Sequence, residues 1–315
     1  MTRIAVDAMG GDHAPPAIVD GAIAAARRLG IAVSLVGASG AIEQALNRHP
    51  GWRNAGLTII DAPDVIDMAE SPTAVRHKPR ASIRVAADLV ARGEAVALFS
   101  AGHTGATVMA THAAFGMIAG VDRPALATSI PTRGGSAVLL DAGANAECRP
   151  QHLLQFAVMG AVYARLVLGA ERPRIGLLSI GEEETKGNDL TREAHRLLKA
   201  SPLNFIGNVE GREIYSGIAD VIVCDGFTGN VVLKTSEGLV EALEAKLGEK
   251  VSSVFDYAEY GGAPLVGVGA LAIVGHGRSS AKAVSNAIAM AHRFAADNFI
   301  HRVEQEIASA GVAHQ

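Results

Sequence analysis

Six short stretches of this chain combine glycines with side chains that can hold or move charge: Asp7-Ala8-Met9-Gly10-Gly11-Asp12, Ser100-Ala101-Gly102-His103-Thr104-Gly105, Asp141-Ala142-Gly143-Ala144-Asn145, Gly181 through Lys186 to Asn188, Asp225-Gly226-Phe227-Thr228-Gly229-Asn230, and Gly275-His276-Gly277. Taken singly, each is an ordinary turn. Together they describe an anion site, because glycines let a ligand approach main-chain N–H groups and hydroxyls add donors. Ser100, Gly102, His103, Thr104 and Gly105 open a helix, where unsatisfied N–H groups favour an anion. Lys186, beside a glycine, can neutralise a phosphate or a tetrahedral oxyanion, or can pair at the surface with Glu182 or Glu183. Asn230 and Lys234 are four apart and share a helix face, with helix capping at Thr228 as the ligand-free alternative. His276 between two glycines is a candidate acid, base or phosphate donor, or a structural hydrogen bonder.

The elements that must position these residues alternate. Apolar runs are expected as strands over 4–7, 33–36, 57–61, 95–100, 125–130, 137–141, 175–180, 205–207, 221–225 and 270–274, with amphipathic stretches between them. That alternation predicts an α/β fold with a mostly parallel sheet covered by helices. Helices are expected over 17–29, closed by Gly30, over 81–92, closed by Gly93, and over 153–168 after Pro150. Ser279 or Ser280 should cap a final long helix. Thr132-Arg133-Gly134-Gly135-Ser136 reads as a hairpin turn and therefore an antiparallel insertion. The six polar stretches fall at the carboxyl ends of these strands, where parallel sheets bind ligands; Asp7, Asp12, Asn145 and Asp225 are thus expected to line the site. One α/β domain over 1–315 suits the length, as would two lobes sharing one sheet.

Composition narrows the function. Only 4% of residues are aromatic against 49% hydrophobic, so the core must be Ala, Val, Ile and Leu. A formal charge of −4 argues against nucleic acid as a partner. Cys148 and Cys224 form no C-x-x-C pair and suit a reducing cytosol; Cys224 reads as a buried apolar residue rather than an acyl-accepting thiol. The N-terminus runs directly into a strand without a signal-peptide pattern. Arg76, Lys78, Arg80 and Arg84 form a basic run, the best docking patch here for an acidic partner, although Pro79 places the helix start near Ala81. No P-loop, lipase elbow, zincin or G-x-G-x-x-G pattern is present, so neither a metal nor a nucleotide cofactor is expected.

These segments, with Gln155-Phe156-Ala157-Val158-Met159-Gly160 and Tyr260-Gly261-Gly262-Ala263, closely resemble in order the bacterial phosphate acyltransferases of phospholipid synthesis. The resemblance implies a three-layer α/β/α sandwich related to isopropylmalate dehydrogenases and phosphotransacetylases. It implies conversion of acyl-[acyl carrier protein] and inorganic phosphate to acyl phosphate, the first step of phosphatidic acid synthesis by the acyl-phosphate route, without a cofactor. It also implies a cytoplasmic homodimer working beside the membrane, with acyl carrier protein and a membrane glycerol-3-phosphate acyltransferase as partners. On that reading Ser100, Gly102, His103, Thr104, Gly105, Asn230 and Lys234 bind phosphate. Lys186, Asn188 and His276 stabilise the oxyanion or protonate the departing thiolate, and the basic run docks the carrier protein. Phosphate attacks directly, since no activated nucleophile is evident. The chain departs from the family pattern in two places. His103 stands where an Asn is usual. The segment 239–259, with Glu241, Glu244, Lys246, Glu249 and Lys250, is short and charged, which argues against membrane contact through it. A dehydrogenase of the related fold and a non-catalytic carrier-protein scaffold are the competing readings.

Overall fold

The computed structural model describes residues 2–248 and 257–309. Its strands are β1 (Arg3–Asp7), β2 (Ala32–Gly37), β3 (Leu57–Asp61), β4 (Ala97–Ser100), β5 (Ala125–Leu126), β6 (Thr128–Thr132), β7 (Gly135–Leu140), β8 (Ile175–Ser179), β9 (Phe205–Glu210), β10 (Val221–Val223), β11 (Ala263–Val266) and β12 (Leu271–Val274). Its helices are α1 (Pro16–Leu29), α2 (Ser39–Leu46), α3 (Ser82–Ala91), α4 (Thr104–Phe115), α5 (Pro150–Tyr163), α6 (Asp189–Ala200), α7 (Gly226–Leu247), α8 (Tyr257–Tyr260), α9 (Ala281–Ala296) and α10 (Phe299–Ser309). The chain divides into two compact units, Met1–Met117 with Tyr257–Ile300 and Ile118–Asp256 with His301–Gln315. A single sheet was expected from the alternation; two mostly parallel sheets are found. Alternation of strand and helix dictates parallel pairing but not which strands join.

In the first unit the strand order is β3-β2-β1-β4-β12-β11, all parallel except β11 against β12. Ile4, Val6, Leu35, Leu98 and Phe99 are buried in it, and each such side chain contributes roughly 1.5–3 kcal/mol of burial free energy. Helix α1 begins after Pro15 with proline at its first turn and stops where Gly30 takes the left-handed conformation. Ser280 caps α9 by accepting from the Ala283 N–H. β11 has no counterpart among the expected strands: Gly261 and Gly262 lead into only four residues, too few for a periodicity signal.

In the second unit the order is β6-β7-β10-β8-β9, parallel except for the β6–β7 hairpin, which turns at Arg133 and Gly134 as expected. The apolar run 125–130 is split into β5 and β6. Helix α5 starts earlier than expected because Pro150 serves as its first residue; it is buried from Leu153 to Tyr163 apart from Leu154 and ends in a π-helical turn, Ala164–Leu168.

Candidate functional site

The chain reverses direction across the first sheet between β1 and β4: β1 leads outward to β2 and β3, then returns to β4 on its other side. Ligand crevices form beyond the carboxyl ends of such a strand pair. Asp7 ends β1 and Ser100 ends β4, and Ser100 Oγ donates to Asp7 Oδ2 at 2.7 Å. The Asp7 carboxylate also accepts from Met9 N, and burial pushes its pKa up while these donors oppose the rise. Above it, two loops touch backbone to backbone. A Cβ on Gly10 would stand 2.7 Å from Gly102 N and 2.7 Å from Asp7 Oδ2, so neither loop could approach the other with a side chain there. Asp12 N donates to Gly277 O at 2.8 Å, joining the first loop to the His276 turn. His276 Nδ1 accepts from Arg278 N at 3.1 Å, which leaves the proton of a neutral ring on Nε2. Asp7, Asp12, Ser100, Gly102 and His276 are therefore brought together within this unit.

Helix α4 leaves the same place. His103 caps it: Nδ1 accepts from Ala106 N at 3.4 Å, the bond that Asn supplies through its amide oxygen, and Nε2 reaches Glu70 O at 3.2 Å. The imidazole thus caps α4 and ties it to a second loop. The amides of Thr104 and Gly105 lie in the first turn, where a helix supplies no acceptors of its own. Of the basic run, Arg76 closes a short 3-10 turn, Arg84 lies in α3, and Lys78 and Arg80 lie between them, so no single helix stacks them. Lys78 pairs with Glu70 at 2.8 Å and Arg80 with Asp61 at 2.7 Å. Arg84 donates to the carbonyls of Val75 and Arg76.

In the second unit, Asp141 follows β7, fully buried, and accepts from the N–H groups of Leu126, Gly143, Ala144 and Asn145 and from Asn145 Nδ2. Burial raises its pKa against these five donors. Asn145 Nδ2 also donates to Pro124 O, so its amide is structural. Helix α7 is seated on this knot. Asp225 caps it through Thr228 N at 2.9 Å and Thr228 Oγ1 at 2.7 Å. Gly229 allows the approach, because a Cβ there would stand 1.9 Å from Asp141 O. Asn230, at the start of the second turn, lies beside Gly143, and Lys234 one turn on pairs with Glu237 at 2.9 Å. Farther along, α7 exposes Leu239, Leu243 and Leu247 on one face; Glu249 and Lys250 lie outside the described residues.

The loop after β8 carries Lys186, exposed, with no ion pair or hydrogen bond to its ammonium among the described residues. Asn188 caps α6 by accepting from Thr191 N at 2.9 Å, which commits its Oδ1. Beside the loop lies a cavity of about 830 Å³ lined by Cys148, Arg149, Glu184, Asp189, Arg192 and His195 among others. Cys148 is half-buried there, and burial with the nearby Asp141 charge pushes its pKa up to about 12, so at neutral pH it is a thiol. Cys224 is buried at the end of β10, its pKa raised likewise by burial. Neither suits a thiolate nucleophile. Arg149, Arg192, His195 and Asn208 were not singled out from the sequence. The signal for His195 was its place beside Ala194 and before Leu198 on the apolar face of an otherwise polar helix.

Among the described residues no group of three or more His, Cys, Asp and Glu side chains is set to hold a metal ion, and no helix is long and apolar enough to cross a membrane. The model of a family described as fatty acid synthesis protein matches residues 2–302. A phosphate acyltransferase of Heliobacterium modesticaldum is 51% identical over 326 aligned positions, covering 97% of each chain. The structure is similar to a phosphotransacetylase from Streptococcus pyogenes (TM-score 0.62, 20% identity, 98% of this chain and 94% of that one). It is also similar to a 4-hydroxythreonine-4-phosphate dehydrogenase from Klebsiella pneumoniae (TM-score 0.56, 17% identity, 94% and 100%). The fold is thus one that transacylases and dehydrogenases share.

Proposed function

This chain belongs to the phosphate acyltransferase family and is an acyltransferase, and we propose that its donor is the thioester of acyl carrier protein, its acceptor inorganic phosphate and its product acyl phosphate. The observation that carries this reading is the match along 97% of both chains at 51% identity.

In the proposed reaction a phosphate oxygen attacks the thioester carbonyl carbon, and the carbonyl electron pair moves onto its oxygen. The tetrahedral intermediate then collapses, the C–S bond breaks, and its electron pair leaves on sulfur, which takes up a proton. Phosphate is already ionised near neutral pH, so the protein has to position it and stabilise charge more than activate it. We assign phosphate binding to Thr104 and Gly105 at the start of α4, where an anion meets first-turn N–H groups and the positive end of a helix dipole, with Ser100 and Gly102 bracing that turn, since the Ser100 hydroxyl donates to Asp7 and the Gly102 N–H donates to Ser100 Oγ at 3.1 Å. His103, as the cap, shapes that turn. The free ammonium of Lys186 suits the oxyanion, and the Nε2 proton of His276 suits the departing thiolate. Asn188, through its amide nitrogen, which bonds to no other described residue, and Asn230 with Lys234 are further anion donors in this scheme. Asp7, Asp12, Asn145 and Asp225 support these loops rather than touch the reacting atoms. Arg76, with Lys78, Arg80 and Arg84, is the proposed docking face for the acidic carrier protein. A homodimer beside the membrane, passing acyl phosphate to a membrane glycerol-3-phosphate acyltransferase, completes the proposal.

The test is release of free carrier thiol from acyl-[acyl carrier protein] with and without phosphate, with acyl phosphate trapped as a hydroxamate. Thiol release that depends on phosphate, in equal amount to hydroxamate, is expected. Release that is indifferent to phosphate, or trapping of an acylated Cys148 or Cys224, overturns direct attack. Turnover of acyl-coenzyme A in preference to the carrier thioester overturns the donor assignment.

A further inference from the structure

The Lys186 loop is exposed and carries three consecutive glutamates, yet its backbone is held from beneath by one buried side chain, Asn208, which a second buried side chain, His195, orients. Asn208, on β9, donates through Nδ2 to Gly181 O at 3.2 Å and to Glu183 O at 2.9 Å. Lys186 N donates to the same Glu183 oxygen at 3.0 Å. One carbonyl therefore joins the Asn208 amide to the turn that presents Lys186.

The orientation of Asn208 is determined by its partners. Carbonyl oxygens only accept, so Nδ2 must face Gly181 and Glu183 and Oδ1 must face the other way. There it meets His195 Nδ1 at 2.9 Å. Since Oδ1 only accepts, His195 Nδ1 carries the proton and donates. The ring is 5% exposed and is gripped edge-on by Phe205, centroid to centroid 5.0 Å. On its far side Nε2 lies 3.7 Å from Glu184 Oε1, and Glu184 pairs with Lys199 as well, which holds its carboxyl below the usual range together with the weaker influence of His195. The row Phe205, His195, Asn208, Glu183 carbonyl and Lys186 amide runs without a break from the sheet to the lysine.

We propose that His195 and Asn208 are positioning residues: through this row they fix the loop that aims the Lys186 ammonium. The inference rests on the reading of Lys186 as the oxyanion's partner. Neither side chain is assigned contact with substrate. Their effect is exerted through the loop, and a displacement of about 1 Å at a catalytic group is enough to lower a rate by up to about a hundredfold.

The experiment compares Asn208→Leu, which keeps the branched outline of the side chain and removes both N–H donors and the acceptor of His195, with the wild-type enzyme in two measurements. In steady-state kinetics of acyl phosphate formation, a fall of between about ten- and a hundredfold in kcat is expected, with KM for phosphate changed by less than about threefold. In the Lys186→Ala background the same substitution should lower kcat no further, since two residues acting as one unit are not additive. In hydrogen exchange, residues 181–188 should lose protection while β8 and β10 keep theirs. His195→Phe should reproduce the loss, and His195→Asn, which restores a donor at the Nδ1 position, should recover most of it. That His195 pair also reads the proposal if Asn208→Leu does not fold. Full kcat in Asn208→Leu, a loss that adds to that of Lys186→Ala, or unchanged protection of 181–188 overturns the clamp. Hydrogen exchange requires no acyl donor, so a failure of the proposed reaction in the wild-type enzyme is distinguishable from a failure of the clamp.

Discussion

On the proposed reading, the turn between β4 and α4 and the loop between β8 and α6 are two different kinds of host for an anion. The first is made of main chain: glycines at 10 and 102 pack backbone on backbone, a helix start supplies N–H groups, and no lysine or arginine is among residues 100–105. Its geometry is set by close contact and by the buried Asp7–Ser100 bond. The second supplies a full positive charge on a mobile side chain, and its backbone is fixed from outside by Asn208 and His195. Backbone donors that cannot rearrange suit an anion that must be held in one pose through the reaction, whereas a lysine suits charge that appears only in the transition state. The two hosts should accordingly fail differently when they are damaged.

The largest effect should come from Lys186→Ala, which removes charge from the second host: kcat should fall on the order of a hundredfold, with KM for phosphate little moved. Equal loss in KM and none in kcat would mean the lysine binds phosphate instead, and would erase the contrast. Next comes Gly10→Ala in the first host. The added methyl collides with Gly102 N, so the loops must part, with a loss of roughly 1–3 kcal/mol in stability and a rise in KM for phosphate; thermal melts and phosphate titration check it. Smaller again is His103→Ala, which should cost about 1 kcal/mol by removing the α4 cap, while His103→Asn should keep the cap and lose only the link to Glu70.

The smallest effect concerns pH. Because burial raises the Asp7 pKa above its ordinary value of 3.8, the folded state holds the proton at pH values where the unfolded chain has released it. The contribution of that carboxyl is therefore fullest below 3.8 and declines as pH rises through the folded pKa. Denaturant titrations of Asp7→Asn against wild type should show the difference moving in favour of the variant over that window. A difference that moves the other way would show that the donors around Asp7 outweigh its desolvation.

Much of the first host was legible in the sequence. Ser100, Gly102 and Thr104 follow an apolar run, and glycines there mark a strand-to-helix turn, the place at which parallel sheets bind ligands. The helix ends at Gly30 and Ser280 were legible for the same local reason. The clamp was not. Asn208 lies 25 residues from Glu183 and 13 from His195, and the pairing of β8 with β9 together with the packing of α6 on β9 brings them together. The basic run was legible as charge, but its pairing with Glu70 and Asp61 depends on loops that no periodicity describes. Asn188 illustrates a third case: its position was foreseen as chemistry, and its Oδ1 is in the helix cap.

The seat of α7 on the Asp141 knot has a consequence for how the gene can drift. At Gly229 even the smallest side chain would occupy the space of the Asp141 carbonyl, and at Gly226 it would stand 2.5 Å from Asn145 O. Asp141 itself satisfies four main-chain amides, three through Oδ1 and one through Oδ2, and an Asn there would put a donor against the Asn145 N–H in place of an acceptor. A substitution at any of the three would therefore disturb the same seat. In a population of variants this patch should stand as a fixed point, while the exposed leucines farther along α7, Leu239, Leu243 and Leu247, vary more freely.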